Sequence, residues 1–131
     1  MAEHGTFTWN ELVTRDPESC KTFFTQILGW TARDVEMPAE GPGPGIYTVF
    51  MKDGKDVAGM FKLEGPAAKG VPNHWMSYIA VDDVDAACDK AEKLGGEIKV
   101  HPTTIPGVGR FCVIADPTGA TVSLLTSEHE M

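Results

Sequence analysis

The chain has 131 residues and a formal net charge of −8 with histidine neutral; 42% of its residues are hydrophobic and 23% charged. That length predicts a single domain, residues 1–131, able to bury a core without staples. The acidic balance excludes nucleic acid and anionic membranes as expected partners, and no apolar run reaches membrane-spanning length.

The opening Met-Ala-Glu-His-Gly lacks the basic region and apolar core of a signal peptide, which predicts a cytoplasmic protein. Three cysteines, Cys20, Cys88 and Cys112, are an odd number set in apolar patterns, so buried, reduced thiols are expected.

In chain order, residues 1–5 read as a frayed lead-in and Phe7–Thr14 as a strand. Asp16-Pro17 opens a helix with an acidic cap and a proline at its first position. Cys20, Phe23, Phe24, Ile27 and Leu28 form its apolar stripe, and Gly29 stops it. Trp30–Met37 is a strand and Pro38–Gly45 a loop. Ile46–Met51 and Asp56–Leu63 form a hairpin through Asp53-Gly54. A polar crossover leads to a strand over 74–81, a helix over 83–94 and a strand over 97–101. A loop over 102–109, a strand over 110–115, the turn Asp116-Pro-Thr-Gly119 and a strand over 120–126 complete the pattern.

The two halves repeat. Thr14-Arg-Asp16 through Gly29 matches Val81-Asp-Asp83 through Gly96 at a displacement of 67; Pro-Gly-Pro-Gly-Ile-Tyr47 matches Pro-Gly-Val-Gly-Arg-Phe111 at 64. Each half is β-α-β-β-β: module one about 6–63, crossover 64–73, module two about 74–126. The expected fold class is α+β, with a four-stranded antiparallel or mixed sheet carrying one helix in each module. The two sheets pair around a barrel-like cleft.

This doubled layout resembles the vicinal oxygen chelate superfamily, the glyoxalase/bleomycin resistance protein/dioxygenase group. The residues that carry the resemblance are Asp16–Trp30, Val81–Gly96 and Gly109–Ala120, the last containing a "DP-x-G" turn. Catalytic members hold one divalent metal with His and Glu side chains on the first and last strand of each module. Counting seven residues back from Asp16 and Asp83 gives Trp9 and Met76. Counting seven on from Asp116 gives Ser123, and the displacement of 64 then gives Gly59. No metal-ligand set stands there or one residue to either side, so the resemblance implies a metal-free member with no cofactor.

Other residues are candidates for binding or chemistry. His74 shares a strand face with Met76, as a hydrogen-bonding or basic imidazole or as a solvent-facing rim residue. Glu11 shares a face with Trp9 and requires a partner or a wet site; Arg110 is the expected partner unless it points outward. Trp9, Tyr47, Phe61, Met76 and Tyr78 supply walls for a flat apolar ligand or pack between the sheets. The expected ligand-binding set is therefore Trp9, Glu11, Tyr47, His74, Met76, Tyr78, Arg110 and Ser123, with His74 and Glu11 as the candidates for catalysis. The leading expectation is a protein that binds a small organic molecule in the cleft and forms a homodimer. The alternatives are a lyase, isomerase or dioxygenase-like enzyme in the same cleft, using His74 and Glu11 or an unrecognised metal, and a structural or interaction module with a filled cleft.

Overall fold

Both helices begin the same way because the chain meets them the same way. Asp16 and Asp83 each leave a strand, turn the backbone and accept an N–H of the first helical turn: Ser19 N to Asp16 Oδ1 at 3.1 Å, Ala86 N to Asp83 Oδ1 at 3.2 Å. The helices that follow are α1, Pro17–Leu28, and α2, Val84–Lys93. Gly29 closes α1 in the left-handed region at φ 70°, its N–H donating to Thr25 O. The computed structural model describes residues 3–36 and 45–128. The loop expected over Pro38–Gly45 therefore lies, except for Gly45, outside the described residues.

Eight strands accompany the helices: β1 Phe7–Thr14, β2 Thr31–Glu36, β3 Ile46–Lys52, β4 Lys55–Lys62, β5 His74–Ala80, β6 Glu97–Ile105, β7 Gly109–Ala115 and β8 Thr121–Ser127. The chain forms two compact units, Trp9–Trp75 and Met76–Met131 together with Met1–Thr8. The fraying expected over residues 1–5 is corrected for the described residues 3–5. Gly5 N donates to Ala80 O and Ala80 N to Thr6 O, so these residues are tied to β5 in the second unit.

In the first unit the strand order is β2-β3-β4-β1. The β2–β3 and β3–β4 pairs are antiparallel; β1 joins β4 in parallel, with Glu11 opposite Gly59 and Val13 opposite Phe61. The β3–β4 hairpin turns at Asp53 (φ 50°) and Gly54 (φ 79°), the paired positive angles that favour Asp-Gly. Leu12, Phe50, Ala58 and Met60 are buried on the face toward α1, against Cys20, Phe24 and Trp30. Phe24 stacks on Trp30 at 5.9 Å and meets Phe50 and Trp75 edge-on.

In the second unit the order is β5-β8-β7-β6, again mixed: β5 runs parallel to β8, while β8–β7 and β7–β6 are antiparallel. Val81, Val84, Cys88, Cys112 and Leu124 form its core on the α2 side. The sheet departs from expectation at β6, which continues through Pro102 to Ile105 rather than stopping at 101. An outer strand tolerates proline where the ladder shifts, and the β6–β7 register shifts between Val100 and Thr103. The crossover also contains a short 3-10 turn, Pro66–Ala68.

Thr126 locks the entry to α2. Its buried Oγ accepts from Val84 N at 3.0 Å and donates to Val81 O at 2.9 Å. Thr126→Val keeps the shape and leaves two buried backbone groups unmatched, so chemical denaturation is expected to show a loss of about 1–3 kcal/mol, with Thr126→Ser retaining most of the stability.

Candidate functional site

Strand parity separates two faces in the first unit. Leu12, Phe50 and Met60 point toward α1, which places Trp9, Glu11, Tyr47 and Gly59 on the opposite face. There the three side chains form one hydrogen-bonded chain. Trp9 Nε1 donates to Tyr47 Oη at 2.9 Å, and Tyr47 Oη donates to Glu11 Oε1 at 2.7 Å. Glu11 is only 6% exposed. The phenol supplies that carboxylate with a strong, charge-assisted hydrogen bond, which offsets part of the cost of taking it out of water.

The sheet itself explains why this contact is possible. Tyr47 lies on β3 and Glu11 on β1, with β4 between them. The tyrosine ring must therefore cross β4, and it crosses at Gly59. A Cβ placed there would fall on Tyr47 Oη and Cζ and lie 2.8 Å from Cε1. Glycine in a strand interior commonly marks such a close approach. Burial and the neighbouring Glu11 charge hold the Tyr47 phenol well above its ordinary range, while the Trp9 hydrogen bond opposes that shift.

Of these, Trp9 and Gly59 stand at the resemblance's metal positions in module one, and they do not fit a metal. The indole nitrogen of Trp9 is a donor already directed at Tyr47. Gly59 has no side chain, and the space where one would start holds a phenol. In the second unit, Met76 is a buried thioether and Ser123 a fully buried neutral hydroxyl, a poor pair for a hard or borderline divalent ion. Among the described residues no group of three or more His, Cys, Asp or Glu side chains could hold a metal ion.

The remaining candidates separate. His74 Nδ1 lies 2.8 Å from Pro72 O; a carbonyl only accepts, so Nδ1 carries the proton and Nε2 is the basic position of the neutral ring. Tyr78 stands directly opposite Ser123 in the β5–β8 ladder. Arg110 requires correction. It shares strand parity with Cys112 on the α2 face, and its carboxylate partner is Asp85: Nε to Oδ2 at 2.8 Å and a second guanidinium nitrogen to Oδ1 at 3.0 Å, with Thr104 taking a third bond. That bidentate pair lowers the Asp85 pKa and leaves Arg110 a clamp on the first turn of α2. Parity with Cys112 was the signal that could have placed it.

The cysteines are free, with Cys88 and Cys112 buried and Cys20 half-buried. Burial, aided by the neighbouring Cys88, pushes the Cys112 thiol up to about 12, so it is not a nucleophile at neutral pH. An open pocket of about 450 Å³ lies elsewhere in the first unit, among Arg15, Asp34, Thr48, Met60 and Lys62. Within its lining Thr48 Oγ donates to Asp34 at 2.8 Å, and Lys21 Nζ lies 3.1 Å from Asp34. Of the residues offered as ligand walls only Phe61 lines it, and none of the eight expected ligand-binding residues does.

The glyoxalase/bleomycin resistance protein/dioxygenase superfamily profile matches residues 6–124 of this sequence. The chain belongs to that superfamily. "Putative glyoxylase CFP32" of Mycobacterium tuberculosis is 42% identical over 123 residues, covering 94% of this chain and 44% of that protein. "Anthracycline biosynthesis protein DnrV" of Streptomyces peucetius is 36% identical over 131 residues, covering 92% and 46%. The chain thus spans a little under half the length of these curated relatives. Among solved structures, a Streptomyces coelicolor methylmalonyl-CoA epimerase variant in complex with 2-nitronate-propionyl-CoA superposes with a TM-score of 0.67 at 15% identity, covering 96% of this chain and 99% of that one. The epimerase of Mycobacterium tuberculosis gives 0.63 at 13%, covering 97% and 92%. At such identities the likeness shows the glyoxalase fold alone. No helix among the described residues is long and apolar enough to cross a membrane.

Gly59→Ala forces the Tyr47 ring off its path and is expected to cost about 1–3 kcal/mol in denaturation experiments. The same substitution should return the Tyr47 ionisation toward its ordinary value, near 10 in an unfolded chain, in an alkaline titration read at 295 nm. In the native chain that phenol stays protonated as pH rises past 10. Folding therefore favours the neutral form, and its contribution to stability, present below pH 10, is lost progressively above it. Tyr47→Phe should flatten this alkaline fall; an unchanged slope would show that the phenol is not held as described.

Proposed function

We propose that this superfamily member binds a flat, largely apolar organic molecule on the sheet faces turned away from its helices, and does so without a metal ion. The observation that supports this reading is the Trp9–Tyr47–Glu11 chain: an indole stands at one first-module position where catalytic members place a metal ligand, and the Tyr47 ring passes over the other, Gly59. Aromatic walls with a few fixed polar groups are the usual composition of a site for such ligands. The 36% identity to a protein named for anthracycline biosynthesis supports a polycyclic aromatic ligand class.

An enzymatic reading has one specific support besides the 42% identity to a protein named as a glyoxylase. Glu11 is a buried carboxylate with a phenolic donor at 2.7 Å, an arrangement suited to exchanging a proton with a bound substrate. His74, with Nε2 as its basic atom, is the other group of that kind.

The test uses the full chain, purified without heating. Native mass spectrometry reports metal, retained ligand and oligomeric state together, a homodimer being part of the proposal. Titration with a fluorescent anthracycline is then carried out with and without EDTA. Saturable quenching with micromolar affinity, unchanged by EDTA and weakened several-fold by Tyr47→Phe, is the expected outcome. Stoichiometric manganese, iron, nickel or zinc, or binding abolished by EDTA, would overturn the metal-independent reading.

A further inference from the structure

Ser123 is an exception to the way this chain treats buried polar groups. Its hydroxyl is wholly buried, and among the described residues it is the buried side-chain oxygen or nitrogen left without a hydrogen-bond partner. The contrast with its own strand is direct. Three residues on, Thr126 is also buried and spends its hydroxyl on Val84 N and Val81 O. Native proteins rarely leave such a group unmatched, because the unmade bond costs stability and an apolar residue of similar shape avoids that cost.

The surroundings say what kind of group is missing. Leu124 belongs to the core against α2, so Ser123 points to the other face of the second unit. Its cross-strand neighbours are Tyr78 on β5 and Val113 on β7, and Met76 shares the face of Tyr78. None of these carries a formal charge. Beside sheet neighbours that carry no charge, a neutral hydroxyl suits a neutral acceptor, which a carbonyl or quinone oxygen supplies; a carboxylate or phosphate would find no counter-charge among them.

We infer that Ser123 is a specificity residue of the binding site, its hydroxyl donating to a neutral carbonyl or quinone oxygen of the bound molecule. This rests on the binding reading above and adds to it the polar feature the ligand carries. The hydroxyl is shielded by its neighbours, so a ligand reaches it by displacing a side chain around it.

The test compares 2-aminoanthraquinone with 2-aminoanthracene, which share a flat ring system and an amine and differ by the two carbonyls, on the full chain and its Ser123→Ala variant. The variant should unfold at the same or a higher denaturant concentration than wild type, since it removes an unmatched group, whereas Thr126→Val unfolds earlier. It should bind the quinone about tenfold more weakly, near the upper end of what one neutral hydrogen bond contributes, and bind the oxygen-free ring unchanged. Earlier unfolding of Ser123→Ala would reveal an internal partner and overturn the inference. Equal effects on both probes, or none, would also overturn it while leaving the binding reading in place. Wild type binding neither probe would remove the binding reading and this inference with it.

Discussion

One helix cannot cover both faces of a four-stranded sheet, and that shortfall governs each unit of this chain. In Trp9–Trp75 the face against α1 is closed by Leu12, Phe50, Ala58 and Met60. The other face must carry the remaining side chains of the same strands, because strand residues alternate strictly. A buried carboxylate there is tolerable only if something donates to it. Tyr47 does so from two strands away, and it can because β4 offers no side chain at Gly59. The glycine, the tyrosine and the glutamate are therefore one feature: the phenol reaches the carboxylate only across a strand position that carries no side chain.

Much of this was legible in the sequence. Every strand and both helices follow from period, caps and the 67- and 64-residue displacements, because local signals fix local structure. Parity put Glu11 on the face of Trp9. The hydrogen bond between Tyr47 and Glu11 was not legible, since it joins residues 36 apart through a parallel β1–β4 pairing that no turn encodes. Arg110 failed for a different reason. Chemical complementarity suggested Glu11, but the guanidinium sits on the strand face that carries Cys112, where Asp85 in the first turn of α2 is within reach. Pro102 failed in the opposite direction: a residue read as ending a strand is carried inside an outer one by a shift in the ladder.

The histidine that opens β5 illustrates how a backbone contact narrows chemistry. His74 gives its Nδ1 proton to Pro72 O, so the ring is oriented and its tautomer set before any ligand arrives. Orientation alone does not make a catalyst, which also needs a second group at a defined distance from the reacting atoms. In this chain the nearest thing to such a pair is Glu11 with Tyr47, and there donor and acceptor already hold each other.

The two units treat the faces turned away from their helices differently. In the first, donors and acceptors consume one another: Trp9 gives to Tyr47, Tyr47 gives to Glu11, and the phenol has used both of its capacities. Such a face presents shape and aromatic surface more than unmet polarity. In the second, Ser123 presents a hydroxyl that no described residue matches. A metal ion placed between substrate oxygens would polarise them by its full charge. A single hydroxyl donor polarises one oxygen weakly, but it discriminates sharply, because a molecule lacking that oxygen leaves the buried donor unmatched. An arrangement of this kind favours selecting a ligand over activating it, which is the physical basis for proposing recognition rather than chemistry that needs a Lewis acid.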